Sequence, residues 1–292
     1  MYAKFDLDIP GNLDRALEGL VEAGAGPGGR NIVPLAGGTN LIVDIRAGRE
    51  QPERLVGLGN VGELCGIEAG AERVTIGART TVSELLASSE TAAAAPSLID
   101  AARVFAGQMV RNTATVAGNI ACGSPAADLV PPLMSLDAEV TLASRSGVRK
   151  VPLNGYFLGY KQDVRRPDEL ITKISWPRPP AHAVNGFYKL ARRKGDAITI
   201  TGVAVTIAAR GGKCAMARIA LGAVAPVVVR ATAAEAMLEG KALTAELIAA
   251  AAASAADECS PIDDIRASAE YRRHTVAALT RRLVSQAWDR LA

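Results

Sequence analysis

Asn12 precedes a stretch in which Leu13, Ala16, Leu17, Leu20 and Val21 recur at the spacing of one helical face, and its side chain suits the capping position. Residues 24–29, five glycines and alanines around Pro27, break the chain. Ile32-Val33-Pro34-Leu35 then predicts a short buried strand leading into Gly37-Gly38. Two more strands are predicted over 55–58 and 74–78. Thr81 and Glu84 have the spacing of a capping box for a helix through Leu85 and Leu86. Pro96 opens another through Leu98, Ile99, Ala102 and Phe105. Residues 107–123 are rich in glycine and threonine with little periodicity. Helical pattern returns over 126–135, followed by strands over 138–142 and 169–175.

Three prolines in Trp176-Pro177-Arg178-Pro179-Pro180 fix φ and remove donors, so neither element type should continue there. The domain boundary is placed at this point, giving units 1–178 and 181–292. Beyond it, strands are predicted over 187–190, 203–208 and 219–224, then helices to the end. The alanine run 249–253 reads as tight helix packing, because alanine is the best helix former. The order is a larger α+β part, then a smaller part with strands first and helices after.

Composition narrows the function classes. Hydrophobic residues make up 49 % and charged residues 22 % of 292, an ordinary globular balance able to bury sizeable cores. Aromatics at 4 % argue against a nucleic-acid surface built on base stacking. The net charge is only +3, and Lys189, Arg192, Arg193 and Lys194 form the densest basic group, either a solvated face or a site for an anion. The N-terminal sequence lacks a secretory pattern, and no apolar run approaches the ~20 residues of a membrane span. Cys65, Cys122, Cys214 and Cys259 lie far apart, without metal-finger or cluster spacing; they suit a reducing cytosol.

Two segments can carry ligand chemistry. Pro34-Leu35-Ala36-Gly37-Gly38-Thr39-Asn40-Leu41 takes a strand into paired glycines, a hydroxyl and an amide. Glycines admit positive φ and close approach, and successive N–H groups in such a turn form a cradle for anions. Thr113-Ala114-Thr115-Val116-Ala117-Gly118-Asn119-Ile120 repeats the theme, so the two could wrap a pyrophosphate from both sides. Neither fits the dinucleotide fingerprint GxGxxG or the phosphate loop GxxxxGK[ST]. In Cys122-Gly123-Ser124-Pro125-Ala126-Ala127-Asp128, Pro125 can start a helix with Asp128 in its first turn. Asp128 would there complement the helix dipole or accept from ligand hydroxyls.

The succession AGGTN, FAGQMVRNTATVAGNI and SPAADLVP, continued by Asp168-Glu169-Leu170-Ile171, Phe187-Tyr188-Lys189-Leu190 and Arg192-Arg193, covers nearly the whole chain. It resembles the FAD-binding medium subunit of the xanthine dehydrogenase and carbon monoxide dehydrogenase family, the molybdenum hydroxylases. The resemblance implies a two-lobed, PCMH-type FAD-binding domain, then a small C-terminal domain with a three-stranded sheet and helices. It implies that Pro34, Leu35, Ala36, Gly37, Gly38, Thr39, Asn40 and Leu41, with Thr115, Gly118 and Asn119, enclose the FAD pyrophosphate. Phe105, Asp128, Leu170, Ile171 and Lys189 would also touch the cofactor, Asp128 accepting from its hydroxyls and Ile171 and Lys189 beside the isoalloxazine. The chain would hold FAD noncovalently, with no catalytic residue or metal of its own. Electrons would come from a small partner with two [2Fe-2S] clusters, fed by a large molybdopterin subunit, and go to NAD+, oxygen or another carrier.

A cytoplasmic dimer of heterotrimers, without nucleic acid or membrane span, is the expected assembly. The chain departs from the family in Asn40, where relatives often carry an acidic residue or serine, and in Ala117, where they often carry glycine. It lacks the cysteine-rich insertion of some relatives. Two alternatives stay open. A self-contained oxidase of the vanillyl-alcohol-oxidase type often binds FAD through histidine, but His182 and His274 lie outside the glycine loops. A non-enzymatic ligand-binding protein would use the loops merely as turns.

Overall fold

The structure, a computed structural model, describes residues 4–23 and 30–291; the break expected over 24–29 lies outside them. Asn12 caps the helix Leu13–Gly19, its side chain accepting from the Arg15 N–H, while Ala16, Leu17 and Leu20 are buried. Val21, expected on the same face, is exposed because the helix has already ended. Strand Ile32–Leu35 pairs in parallel with Arg54–Gly57, and Asp6–Asp8 adds a third, unpredicted strand on the other side. This small parallel sheet is the first lobe.

The second lobe is an antiparallel sheet in the order Ile67–Ala69, Arg73–Gly77, Leu170–Pro177, Glu139–Ser144, Gly147–Pro152. Its central strand runs on through Trp176 and Pro177, two residues past the expected stop. Proline is tolerated there because it is the last residue of the strand, and Trp176 is wholly buried. Gly147–Pro152 is an almost entirely exposed edge strand, without the apolar alternation that would have revealed it. Thr81 and Glu84 form both bonds of the capping box that starts Val82–Ala87. Pro96–Arg103 ends before Phe105, shorter than expected. The stretch 107–123 is more regular than its composition implies: it contains the short helices Gln108–Arg111 and Val116–Ala121. The next helix, Val130–Ser135, begins later than expected, so Asp128 precedes it instead of lying in its first turn.

In the C-terminal part, Ala183–Leu190, Thr201–Arg210 and Lys213–Gly222 make the three expected long antiparallel strands, and the two-residue strand Val229–Arg230 adds a fourth. Strand Thr201–Arg210 is buried on both faces. Val203, Val205 and Ile207 pack with the helices Ala245–Asp257 and Ala269–Asp289, whereas Ala204 joins the core of the preceding lobe. The buried alanines Ala251, Ala252 and Ala255 let the first of these helices lie close.

Helix Val130–Ser135 is buried throughout and presses on this second sheet: a Cβ on Gly222 would come within 2.9 Å of Pro131. Polar bonds cross the same seam. Ala223 N donates to Pro125 O at 2.7 Å, Ser97 N to Asn185 Oδ1 at 2.7 Å, and Thr206 Oγ1 to Ser135 Oγ at 3.2 Å. Arg230, paired within its own unit to Glu235 at 2.6 Å, reaches across to Asp137 at 2.7 Å. Buried donors and acceptors that are satisfied only across a seam hold two units in one relative position.

Candidate cofactor site

The two glycine loops meet. A Cβ built on Gly37 would fall 1.9 Å from Thr113 O and 3.2 Å from Ala114 Cα, so only glycine allows the two backbones this contact. Gly38 follows at φ +68°, the left-handed region that favours glycine. Thr115 N-caps Val116–Ala121, its hydroxyl accepting from Gly118 N at 3.0 Å. Asn119 turns its side-chain oxygen to Leu129 N at 3.2 Å, tying this helix to the segment that leads into Val130–Ser135.

Between the lobes lies a cavity of about 390 Å³, within the usual range of small-molecule sites. Pro34, Leu35, Ala36, Gly37, Gly38, Thr39, Asn40 and Leu41 form one wall. Phe105, Thr115, Gly118, Asn119, Leu170 and Ile171 also line the cavity. Thus 14 of the 16 residues singled out in the sequence line one space. The backbone N–H groups of Gly37, Gly38, Thr39 and Asn40 donate to no acceptor among the described residues. Unsatisfied main-chain donors at a cavity wall call for a ligand or water, and four in succession match the oxygens of a diphosphate. The lining is apolar at Phe105, Leu170 and Ile171, which suits a flat heteroaromatic ring. The residues present therefore fit FAD.

Sequence reasoning missed the cations of this cavity, because each is isolated along the chain. Arg79, Lys161 and Arg165 line it, together with the carboxylates Asp44 and Glu50. Arg165 is committed to a two-pronged bond with Asp163, at 2.9 and 2.8 Å. Arg79 Nη1 donates to Val61 O and Cys65 Sγ, both at 3.2 Å. Arg49 bonds Asp44 at 2.7 Å and holds that carboxyl below the ordinary carboxylate range. Cys122 also lines the cavity, and burial pushes its thiol up, making it a poor nucleophile.

Asp128 and Lys189 do not line the cavity. They bond each other at 2.6 Å, with both side chains at most 8 % exposed, and the Thr199 hydroxyl donates to the second oxygen of Asp128. Burial raises the Asp128 carboxyl, and the ammonium beside it opposes that shift. Lys189 Nζ also donates to Val104 O at 3.4 Å, next to Phe105 on the cavity wall. The pair thus spans the interdomain seam immediately behind the site.

A two-lobed domain holding a cavity between a glycine loop and a threonine-capped turn, backed by a separate sheet-and-helix unit, defines a flavin-binding class of protein. Residues 3–179 match the family described as the FAD binding domain in molybdopterin dehydrogenase, and residues 186–287 match the CO dehydrogenase flavoprotein C-terminal domain. The carbon monoxide dehydrogenase medium chain of Hydrogenophaga pseudoflava is 35 % identical over 261 residues, covering 88 % of this chain and 90 % of that one. The xanthine dehydrogenase FAD-binding subunit of Escherichia coli O157:H7 is 31 % identical over 255 residues, covering 87 % of each. A solved structure of carbon monoxide dehydrogenase from Hydrogenophaga pseudoflava superposes with a TM-score of 0.94 at 34 % identity, over 100 % of both chains. The chain belongs to the FAD-binding medium subunits of the molybdenum hydroxylases. It is an oxidoreductase subunit that carries FAD and transfers electrons within a heteromeric enzyme.

Proposed function

We propose that this chain binds one FAD noncovalently in the cavity between its lobes, passing electrons from a small subunit with two [2Fe-2S] clusters to NAD+, oxygen or another carrier. The single observation that carries the reading is the run of undonated N–H groups from Gly37 to Asn40 beside an apolar wall. The residues proposed to hold the cofactor are the 34–41 loop, Phe105, Thr115, Gly118, Asn119, Leu170 and Ile171, with Asp128 and Lys189 as its support from behind. Bound FAD supplies a ring that takes up electrons singly and releases them as a pair. The loop N–H groups fix the diphosphate, Phe105 and Ile171 exclude water from the ring, and the Asp128–Lys189 pair keeps the second domain against the site. The proposed domain limits are 1–178 for the cofactor domain and 181–292 for the C-terminal domain.

Large interfaces in such assemblies need apolar ground. Val104 and Met109, 41 % and 85 % exposed, flank Phe105 in sequence, and Ile198 and Ile265 are 54 % and 88 % exposed. Gly107 lies against Asp196, and Arg192 bonds the Ile265 carbonyl at 3.4 Å, so these segments adjoin. This surface is where we place the iron–sulfur partner, with a large molybdopterin subunit beyond it in a dimer of heterotrimers. No helix among the described residues is long and apolar enough to cross a membrane, and all four cysteines are free, which supports a cytoplasmic location. The test of the cofactor reading is acid precipitation of purified protein: the yellow colour should pass into the supernatant in about one equivalent. Flavin retained in the pellet, or a colourless protein that ignores added FAD, refutes it.

A further inference from the structure

A tight hairpin, Phe157–Gly159 paired with Gln162–Asp163, reaches the same cavity through its turn. Lys161 sits in its turn at φ +54°, a left-handed conformation that is unfavourable for a lysine. Glycine or asparagine would fill that position without strain, so the choice of lysine needs another reason. The turn is pinned in place. Lys161 N donates to Gly123 O at 3.2 Å, and a Cβ on Gly123 would come within 2.8 Å of Lys161 Cα. Gly123, itself at φ +60°, is thus the socket into which the turn fits, directly after the Val116–Ala121 helix.

The pinning places the lysine on the cavity, where it is the least committed cation. Arg165 is held in a fork by Asp163, and Arg79 by a carbonyl and a sulfur. Among the described residues Lys161 Nζ reaches only Asp44, at 3.5 Å, and that carboxylate is already bonded by Arg49 at 2.7 Å. Lys161 therefore retains free donors on the same cavity that holds the undonated N–H groups of Gly37 to Asn40. We propose that the hairpin turn is a phosphate clamp, in which Lys161, braced against Gly123, closes over the diphosphate seated on the glycine loop and selects FAD over flavins without it. The inference rests on the cofactor reading above and adds to it the source of charge neutralisation. Main-chain donors supply direction, whereas an ammonium supplies a full unit charge.

The experiment titrates apoprotein with FAD, with ADP as a competitor that keeps the diphosphate, and with riboflavin, which lacks phosphate. It compares wild type with Lys161→Ala, Lys161→Arg and Gly123→Ala at low and high salt, with circular dichroism to check the fold. Lys161→Ala should weaken FAD and ADP by the same factor, roughly ten- to a hundredfold, the worth of one hydrogen bond to a charged group. Riboflavin should be unchanged, the salt dependence of FAD binding should become shallower, and Lys161→Arg should restore most of the affinity. Gly123→Ala, which keeps the lysine but displaces the turn, should resemble Lys161→Ala. Equal loss of riboflavin, or unaltered FAD binding in Lys161→Ala, overturns the clamp while leaving the cofactor reading intact. Wild-type protein that binds no FAD overturns both.

Discussion

Gly37→Ala adds a single methyl group, and the structure states what that group meets. Its carbon would lie 1.9 Å from Thr113 O and 2.6 Å from the Thr113 carbonyl carbon, both backbone atoms. Ordinary contact requires more than 3.4 Å, so the two loops must part by well over an ångström. The Thr113 side cannot yield freely. Thr113 N and Ala114 N both donate to Val110 O, at 3.1 and 2.7 Å, and Ala114 O accepts from Val82 N at 2.9 Å. The 34–41 loop has fewer restraints and should move outward, carrying its N–H groups off the diphosphate. Overpacking of this kind costs about 1–3 kcal/mol, a fall of a few degrees in Tm for a chain this size. FAD affinity should fall further, because a displaced loop loses several charge-assisted bonds together. Calorimetry of apo and FAD-loaded protein separates the two effects: the stabilisation by saturating FAD should shrink more than the apo Tm falls. Gly38→Ala is the contrasting variant. Its Cβ would approach only the Ile42 and Leu35 side chains, at 3.1 and 3.3 Å, so it suffers mainly from its left-handed backbone, at about 1 kcal/mol. If Gly37→Ala binds FAD like wild type and melts at the same temperature, the loops do not meet as described.

Lys189→Met leaves Asp128 buried without its cation and should destabilise the protein by about 3–5 kcal/mol at neutral pH, measured by urea unfolding. Because burial already raises the Asp128 carboxyl, the deficit should shrink as pH falls towards the ordinary aspartate range and the group takes up a proton, and Asp128→Asn should partly rescue it. Glu169 is held in the opposite direction: two bonds from Arg149, each 2.7 Å, depress its pKa, so its contribution persists above the ordinary glutamate range and is lost on acidification. Glu169→Gln should accordingly flatten the acid limb of the stability–pH curve, and an unchanged limb would contradict the assignment. Thr115→Ala should cost about 1 kcal/mol through loss of the N-cap on Gly118, with Thr115→Ser close to wild type in thermal melts.

What the sequence disclosed followed from how locally each feature is encoded. The glycine loops were legible because paired glycine after a buried strand has a backbone meaning of its own. The capping box at Thr81 was legible for the same reason: its two partners are three residues apart. Lys161 and Arg165 were missed because they serve the cavity through a hairpin that approaches Gly123 only in three dimensions. Asp128 was misplaced because Pro125 signals a helix start that the chain defers to Val130. The helices Gln108–Arg111 and Val116–Ala121 are too short for periodicity to register, and their stability comes from the caps and contacts around them. The exposed edge strand Gly147–Pro152 has no buried face to imprint a pattern.

The glycine loop follows Ile32–Leu35, and that strand has a neighbour on one side only, Arg54–Gly57. The loop is therefore hung from the rim of the smaller sheet, by a strand of which only Ile32 is buried in the core that both lobes share. Peeling one short rim strand is a local event, cheaper than disturbing the body behind it. A chain built in this way can complete its folding empty and admit a molecule as long as FAD afterwards, by a hinge of a few residues. Cofactor insertion can then be a late and separate stage in the maturation of the enzyme, timed independently of the synthesis of the polypeptide.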